Sequence, residues 1–552
     1  RKNVKKQLAL RVLSTAALMA MVSSIATAAF AAEYNVKDGS VEIVAKDGVQ
    51  SITQWADKDE GTYVTDDKGA IKDREDSNII LTTKNKDTGE TETTSNTVTI
   101  DAKEDNTANV TLQDVHIETK SSWNDSGSAP IEIKGNGDTY LELNGNNTVL
   151  SGSKNHAGIE KADVNGTGTL TIKDDVNDDG KLLAGGYEDS AGIGGGSYHD
   201  GKSYGNTSNI TITGGDITAV GGVYGAGIGG GSDEDASNIR IEGNAHVAAF
   251  SNSGAGIGSG YFSNGNSDIT ITDHATVEAA SAHGCGIGGS RLASGKATIT
   301  ISGDASVHAE ALDSAAAIGS EKSSATVNIE DHADVTAVSH GVAIGTNYDY
   351  DGDSSTVINI TGGTVNAVTS SKESYPAIGT VGGNLDLTIN SSTGKTTVNA
   401  CTTGSDPLSL NIGTRHYDAS AHKNSTSPSE GAEYNEDGSS NLGEDNAAII
   451  NSYCNTTLTP DTFKAPKTLD RFAFHGGEKH TLSDKDSDKG DLTKVVHNRK
   501  YMEEHPEIVD ITKLEDEDLH DWKLVGKVVE PTLDKDGYAD YICSIDKCGQ
   551  TK

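Results

Sequence analysis

The sequence predicts an all-β solenoid made of short parallel strands, and three observations support this prediction. A short motif centred on isoleucine recurs nine times along the chain, as Ala-Gly-Ile-Gly in three copies and as a variant of it in six. Two further short segments of alternating apolar and polar residues lie between successive copies. Aromatic residues make up only 5% of the chain, whereas glycine accounts for 64 of its 552 residues. This composition suits a narrow core of small and β-branched side chains that forms when repeats stack.

The recurring motif sets the length of one repeat. Successive central isoleucines are separated by 26 residues (Ile318 to Ile344) up to 35 residues (Ile193 to Ile228), inside the range of roughly 20 to 50 residues found in repeat proteins. The nine isoleucines are Ile159, Ile193, Ile228, Ile257, Ile287, Ile318, Ile344, Ile378 and Ile412.

The other two segments of each repeat alternate with a period of two, which predicts strands with one buried face. The first has the form Ile-x-Ile, as at Ile269 and Ile271, and the second the form Val-x-Ala, as at Val277 and Ala279. Stacked repeats would place Ile on Ile and Ala on Ala at a spacing of about 4.8 Å. We therefore predict a three-sided parallel β-helix over residues 77–414, with right-handed connections.

The Ala-Gly-Ile-Gly segment carries two predictions of its own. If strand alternation holds, Ile and the residue two positions before it face inward, and the glycine between them forms an outer stripe almost free of side chains. That stripe is either purely conformational or a smooth floor for a flat glycan chain. The residue after Ile is glycine in eight of the nine copies, which predicts a positive φ or the close approach of another backbone.

This pattern resembles the pectin-lyase-like, right-handed parallel β-helix proteins. More narrowly, AGIGGG at 191–196 and at 226–231 resembles the exported carbohydrate-binding-domain-containing surface proteins of Gram-positive bacteria. The resemblance covers residues 77–414 and implies the fold more specifically than the function.

The flanking segments predict export and several smaller units. Residues 1–31 combine a basic start, an apolar run and an Ala-Phe-Ala site, which predicts a secretory signal peptide; the alternative is a retained membrane anchor. No later stretch is apolar over the ~20 residues of a membrane span. Since no Met precedes Arg1, we expect a fragment of a longer protein.

After the signal peptide, residues 32–76 are expected to cap the open end of the solenoid. Residues 415–446 are rich in Ser, Asn and Gly and predict a linker, and residues 447–518 have no predicted fold. Residues 519–552 are similar to a small β module repeated in Gram-positive surface proteins. A zinc site there would use His520, Cys543, Cys548 and a fourth ligand that the sequence does not identify; a disulfide between the two cysteines or free thiols are the alternatives in an exported chain.

Charge excludes several classes of function. The chain has 44 basic and 82 acidic residues, a net charge of −38, which argues against nucleic-acid binding and attraction to anionic lipid. A lyase acting on polyuronates needs basic residues, and residues 77–414 contain only Arg240 and Arg291 as arginines. On the outward positions of the second strand, Glu278 and His308 form the one pair of neighbouring acidic and basic residues. Neighbouring rungs often place such residues side by side by chance, so the pair does not favour a catalytic function.

Two acidic loops are candidate calcium sites because hard carboxylate and amide oxygens suit Ca²⁺. The first resembles the start of an EF-hand loop but has Gly186 where the closing Glu would stand. Solvated acidic turns are the alternative at both places. The candidate ligands are Asp175, Asn177 and Asp179 in the first loop and Asp349, Asp351 and Asp353 in the second.

Aromatic residues concentrate in the loops that follow the Ala-Gly-Ile-Gly strand, and we expect them to emerge along one edge. Beside Asp and Asn acceptors they predict a platform for sugar rings, with ordinary turn residues as the alternative. The leading hypothesis is an exported, non-catalytic, adhesin-like protein that binds glycan; the alternatives are a polysaccharide hydrolase or lyase and a structural stalk. The candidate ligand-binding residues are Tyr198, His199, Asp200, Tyr204, Tyr261, Phe262, Tyr348 and Tyr350.

Overall fold

The structure is a computed structural model, and it describes residues 32–402 apart from 121–126, 164–165, 177, 198–205, 314, 348–353, 370–374, 382–383 and 390–392. It also describes the segments 412–418, 423–425, 449–452, 480–481, 522–529 and 538–543. These residues are all-β, with a short 3₁₀ helix at Val36–Asp38.

Three sheets run along the solenoid, and each turn, called a rung below, gives one strand to each sheet. Sheet I contains the Ile-x-Ile segments, sheet II the Val-x-Ala segments and sheet III the Ile-Gly dipeptides. The chain visits them in that order, for example through Thr207–Ile212, Asp216–Val220 and Ile228–Gly229. The predicted parallel β-helix is therefore confirmed.

Two antiparallel pairs stand apart from these sheets, Thr65–Asp66 with Gly69–Ala70 and Trp522–Val529 with Tyr538–Cys543. The other strands of the described residues fall into the three sheets as follows. In sheet order, sheet I contains Glu33–Asn35, Ile79–Thr82, Thr107–Gln113, Asp138–Asn144, Leu170–Lys173, Thr207–Ile212, Ala236–Ile241, Ser267–Ile271, Ala297–Ile301, Ala325–Ile329, Ser355–Ile360 and Asn384–Ile389. Sheet II contains His116–Glu118, Asn146–Leu150, Lys181–Gly185, Asp216–Val220, His246–Ser251, Thr276–Ser281, Ser306–Ala311, Asp334–Ser339, Gly363–Thr369, Thr396–Thr402, Ile449–Ser452 and His480–Thr481. Sheet III contains Thr62–Tyr63, Val49–Asp57, Ser40–Lys46, Val98–Ala102, Ile131–Lys134, Ile159–Glu160, Ile193–Gly194, Ile228–Gly229, Ile257–Gly258, Ile287–Gly288, Ile318–Ser320, Ile344–Thr346, Ile378–Val381, Ile412–Asp418 and Lys423–Ser425, with Arg74–Glu75 beside Val49–Asp57.

The register places like side chains on one another, as predicted. Ile269 lies between Ile239 and Ile299 in sheet I, and all three are fully buried. They belong to one continuous apolar cluster that extends through the described rungs. Each fully buried Ile of this kind contributes about 1.5–3 kcal/mol relative to exposure, so the stack itself supplies the core that the scarce aromatic residues do not.

Glycine follows Ile in sheet III for both of the predicted reasons. Gly258 has φ +140, and a Cβ at this position would overlap the carbonyl oxygen of Gly288 in the next rung. Other L-residues rarely adopt this backbone conformation. The equivalent glycines have φ between +123 and +143; they are Gly194, Gly229, Gly288, Gly319, Gly345 and Gly379.

The prediction of an outer glycine stripe on sheet III is wrong. The chain bends just before each Ile-Gly dipeptide, so strand alternation does not extend to the residues before it. The middle position is the residue directly before Ile, and where alanine occupies it, as Ala317 does, the side chain packs in the main core. The residues two positions before Ile, such as Cys285 and Ala316, lie in a separate small cluster. The middle glycines face backbone: a Cβ at Gly256 would lie 2.7 Å from the amide nitrogen of Ala280.

The N-terminal segment predicted as a cap joins two of the sheets. Glu33–Asn35 pairs in parallel with Ile79–Thr82, and Ser40–Lys46 pairs in parallel with Val98–Ala102. Val49–Asp57 then returns antiparallel along Ser40–Lys46, so an antiparallel hairpin stands at this edge of sheet III.

At the other end, two described segments continue the parallel pairing beyond residue 414. Ile412–Asp418 lies beside Ile378–Val381 in sheet III, and Ile449–Ser452 lies beside Thr396–Thr402 in sheet II. Trp522–Val529 and Tyr538–Cys543 form an antiparallel pair in the predicted small module. The domain boundaries stay predictions.

Candidate functional site

The loops on the two sides of sheet III fold over its outer side. The N–H of Ala255, before the Ile-Gly dipeptide, donates to the carbonyl of Ser259 after it at 3.0 Å. The loop after sheet III also contacts the preceding rung, because Tyr261 N–H donates to the Tyr224 carbonyl at 2.9 Å. Residues 253–260 are consequently buried. A ligand on this side would contact the loops and not the glycine-rich strand.

Hydroxyl groups at the ends of the sheet II strands hold the loop before sheet III in place. Ser251 Oγ donates to the Gly225 carbonyl at 2.7 Å, and Ser281 Oγ donates to the Gly254 carbonyl at 2.7 Å. Both bonds join one rung to the preceding rung and are buried. Because a buried bond of this kind fixes the loop backbone, the side chains that the loops carry have defined positions.

Three aromatic side chains meet on the outer surface of these loops, and we call Tyr224, Tyr261 and Phe262 the aromatic ledge. The ring centroids of Tyr224 and Tyr261 are 5.1 Å apart, and those of Tyr261 and Phe262 are 4.3 Å apart with an interplanar angle of 69°. Tyr224 is 39% exposed and Phe262 is 46% exposed. The rings support one another while keeping much of their surface open to solvent.

Phe262 stands at the tip of its loop because of a backbone conformation that recurs in neighbouring rungs. Asp233, Phe262 and Leu292 each lie five residues after the central Ile and have φ of 63, 63 and 61. The tips pair between rungs: Asp233 N–H donates to the Tyr261 carbonyl at 2.7 Å, and Phe262 N–H donates to the Arg291 carbonyl at 3.2 Å. The aromatic ledge therefore lies between Asp233 on one side and Arg291 on the other.

The charges beside the ledge differ on its two sides. Partial burial raises the pKa of the exposed Asp233 carboxyl, and a hydrogen bond from Ser232 opposes this shift. On the other side, burial raises the pKa of Glu321, whose carboxylate accepts the N–H of Leu292, and the charge of Arg291 opposes that shift. Arg291 is thus electrostatically coupled to Glu321, whereas Asp233 has no ion pair within the described residues.

Of the residues predicted to bind ligand, the structure brings Tyr261 and Phe262 into contact. Tyr224 is a further member that was not predicted, because the predicted platform comprised only loops that follow the Ile-Gly dipeptide. The available signal was an aromatic residue two positions before Ala226, on the other side of the same strand. The remaining predicted residues, Tyr198, His199, Asp200, Tyr204, Tyr348 and Tyr350, lie outside the described residues.

The first predicted calcium loop is described in part. The Asp175 carboxylate lies 2.6 Å from the Lys173 ammonium, and the Asp179 carboxylate accepts the Gly145 N–H at 3.4 Å. Asp175 is therefore already paired with Lys173, while its side chain is 64% exposed. Within the described residues no group of three or more His, Cys, Asp or Glu side chains is arranged to hold a metal ion.

The other predicted metal ligands cannot be placed. Asn177 and the second calcium loop, Asp349, Asp351 and Asp353, lie outside the described residues. So do the proposed zinc ligands His520 and Cys548, together with the side chain of Cys543. Calcium and zinc therefore both stay predictions.

The acid–base pair of sheet II has a different partner from the one that the sequence indicates. Glu278 and His308 are register neighbours, but His308 Nε2 lies 2.9 Å from Glu310 Oε1, two residues along its own strand. Burial raises the pKa of Glu278, with the Glu310 charge adding to the shift and the His308 charge opposing it. These contacts satisfy His308 within its own strand and bring the Glu278 and Glu310 charges close enough to influence each other.

A buried ionic cluster at Ile159–Glu160 was not anticipated from the sequence. Glu160 replaces the usual glycine, and its carboxylate accepts the Ala157 N–H at 3.3 Å and contacts His156 Nδ1 at 2.8 Å. Lys161 is 1% exposed, and its ammonium donates to the Gly166 carbonyl at 3.0 Å. Since Glu160 takes over the role that a backbone carbonyl has in other rungs, its function here is structural.

Comparison with known proteins supports the repeat. Residues 210–232 and 269–291 match the family model described as Beta helix repeat. Each matched segment runs from a sheet I strand through sheet II to the loop after sheet III, and so corresponds to one rung. No curated protein and no solved structure matches the chain. The described residues also include no helix of the length and hydropathy that a membrane crossing requires.

Proposed function

We propose that this parallel β-helix protein is an exported, non-catalytic surface protein that binds carbohydrate through the aromatic ledge. The observation that carries the proposal is the contact between Tyr224, Tyr261 and Phe262 at an exposed loop surface. A chain with only 5% aromatic residues uses three of them where they contribute nothing to the main core. Exposed aromatic groups of this kind mark interaction sites.

Sugar rings suit such a surface. Their C–H faces pack on aromatic rings, and their hydroxyl groups bond to nearby polar groups. The ledge supplies the rings, and Asp233 beside it supplies a carboxylate acceptor. The loops are anchored by buried bonds such as Ser251 Oγ to the Gly225 carbonyl, so little ordering is needed when a ligand binds.

The repeat would let weak contacts add up. Relative to their central isoleucines, Tyr198 corresponds in sequence to Phe262, and Tyr348 corresponds to Tyr261. An extended glycan that contacts several such loops gains affinity because each later contact forms at a high effective concentration. The predicted signal peptide at residues 1–31 fits a protein that meets glycans outside the cell.

The experiment is a binding comparison with the full chain on an array of plant and mucin glycans, followed by affinity electrophoresis on a glycan that binds. The variant Tyr224→Ala, Tyr261→Ala, Phe262→Ala should lose at least about tenfold in affinity, equivalent to ~1.4 kcal/mol. Its melting temperature should change little because the rings are half exposed. Tyr140→Ala is the matched control, since Tyr140 lies on the outward side of sheet I beside Thr171.

Unchanged retention of the triple variant would refute the ledge as the binding surface. Release of reducing ends from the bound glycan would contradict the non-catalytic part of the proposal and favour a glycan-cleaving enzyme.

A further inference from the structure

The charge next to the aromatic ledge narrows the class of its ligand. Asp233 N–H donates to the Tyr261 carbonyl at 2.7 Å, so the Asp233 side chain leaves the backbone directly beside Tyr261. The residue is exposed and has no ion pair within the described residues. Its φ of 63 holds it at the loop tip, level with Phe262 of the next rung.

A carboxylate beside aromatic rings is an arrangement that favours a cation. The faces of Tyr and Phe rings attract ammonium groups through their quadrupoles, and an adjacent carboxylate adds a direct ion pair. Beyond the site, the net charge of −38 attracts cations and repels anions at long range.

We propose that the aromatic ledge selects glycans with free, positively charged amino groups, such as oligomers of de-N-acetylated glucosamine, over acetylated and anionic glycans. The inference rests on the proposed function, because it names the ligand class of the same site. The amino group pairs with Asp233 while the sugar faces contact the ledge.

The opposite side of the ledge sets the direction in which such a ligand lies. Phe262 N–H donates to the Arg291 carbonyl at 3.2 Å, which places the backbone of a basic residue one rung beyond the ring. Although Glu321 offsets part of its charge, Arg291 makes this side the less favourable one for an ammonium. The amino group therefore points towards Asp233 and away from Arg291.

The experiment measures the affinity of the full chain at pH 6 for three oligosaccharides of equal length: glucosamine oligomers, their N-acetylated counterparts and oligogalacturonate. We expect the glucosamine oligomer to bind most tightly and the uronate most weakly. Asp233→Asn should weaken glucosamine binding about threefold to fivefold, as an exposed ion pair allows, and weaken acetylated binding less, because the Asn amide oxygen still accepts hydrogen bonds from sugar hydroxyl groups. Arg291→Gln should strengthen glucosamine binding.

Asp268→Asn is the matched control, because Asp268 is an exposed carboxylate in sheet I and its loss changes net charge equally. Lowering the pH should weaken glucosamine binding by the wild type as Asp233 becomes protonated, starting at a higher pH than for an ordinary aspartate because its pKa is raised. Asp233→Asn should not show this dependence.

Two failures are distinguishable. If the acetylated and amino oligomers bind equally and Asp233→Asn changes neither, the amino-sugar preference is refuted while carbohydrate binding stands. If the protein binds no oligosaccharide on this panel or on the wider array, the proposed function itself is refuted. Equal weakening by Asp233→Asn and Asp268→Asn would assign the effect to net charge and refute a specific pair at Asp233.

Discussion

A charge placed in the stacked core tests the architecture most directly. Ile269 is fully buried between Ile239 and Ile299, so it has apolar partners above and below it in the stack. Removing an Ile side chain from such a site costs about 2–5 kcal/mol, and an unsatisfied buried polar group adds about 1–3 kcal/mol. We expect Ile269→Asp to lower the free energy of unfolding by about 5 kcal/mol.

The adjacent residue is the matched control. Thr270 lies on the outward side of the same strand, beside Arg240 of the preceding rung, where an added carboxylate meets solvent and a cation. Thr270→Asp should therefore change stability by no more than about 0.5 kcal/mol. The measurement is denaturant unfolding together with hydrogen exchange of peptides from residues 236–301, because a solenoid transmits damage mainly to neighbouring rungs.

The dependence on pH gives a second check. Burial would raise the pKa of the introduced carboxyl in the folded state, so between about pH 4, its unfolded pKa, and the raised value the folded state binds more protons than the unfolded state. The stability deficit of Ile269→Asp should then be smaller at pH 4 than at pH 7. An equal or larger loss in Thr270→Asp would show that the assignment of inward and outward faces is wrong.

Three further outcomes follow from particular residues. Gly258→Ala should destabilise the protein by about 1–3 kcal/mol in denaturant unfolding, because its φ of +140 and the adjacent carbonyl exclude a Cβ. Lys161→Met should destabilise the protein at pH 7 by about 1–3 kcal/mol in the same measurement, because it removes one partner of the ion pair with Asp163 and the donor to the Gly166 carbonyl. Burial lowers the pKa of Lys161, so the wild type gains stability as the pH rises towards about 10.4 and the deficit of the variant should grow. If Asp175 and Asp179 bind calcium, millimolar Ca²⁺ should raise the melting temperature and EDTA should reverse the rise. An unchanged melting temperature would refute calcium binding at these residues.

The fold was predictable because its core depends on residues that recur at the same place in each rung. The pattern Ile269-x-Ile271 can be recognised without knowing any distant contact. When similar rungs stack, the partners of Ile269 are the isoleucines at the equivalent position of the neighbouring rungs. The orientation around sheet III was not predictable by the same rule. Alternation applies only while the chain is extended, and the bend before Ile257 turns the middle glycine towards backbone of sheet II instead of solvent.

The contact between the aromatic residues of the candidate site could not be predicted from the sequence. Tyr224 and Tyr261 are 37 positions apart, on opposite sides of sheet III and in different rungs, and they meet because the loop after one strand pairs with the loop before the preceding strand. The same offset joins Ser232 to Asp189 through a 2.7 Å backbone bond. Loop sequences vary between rungs, so the repeat pattern does not predict which loop side chains meet. The surface chemistry of the protein is therefore decided by contacts between unlike segments of adjacent rungs, while its stability is decided by contacts between like segments. Substitutions at the loop tips can for this reason alter the surface chemistry without disturbing the stack that supports them.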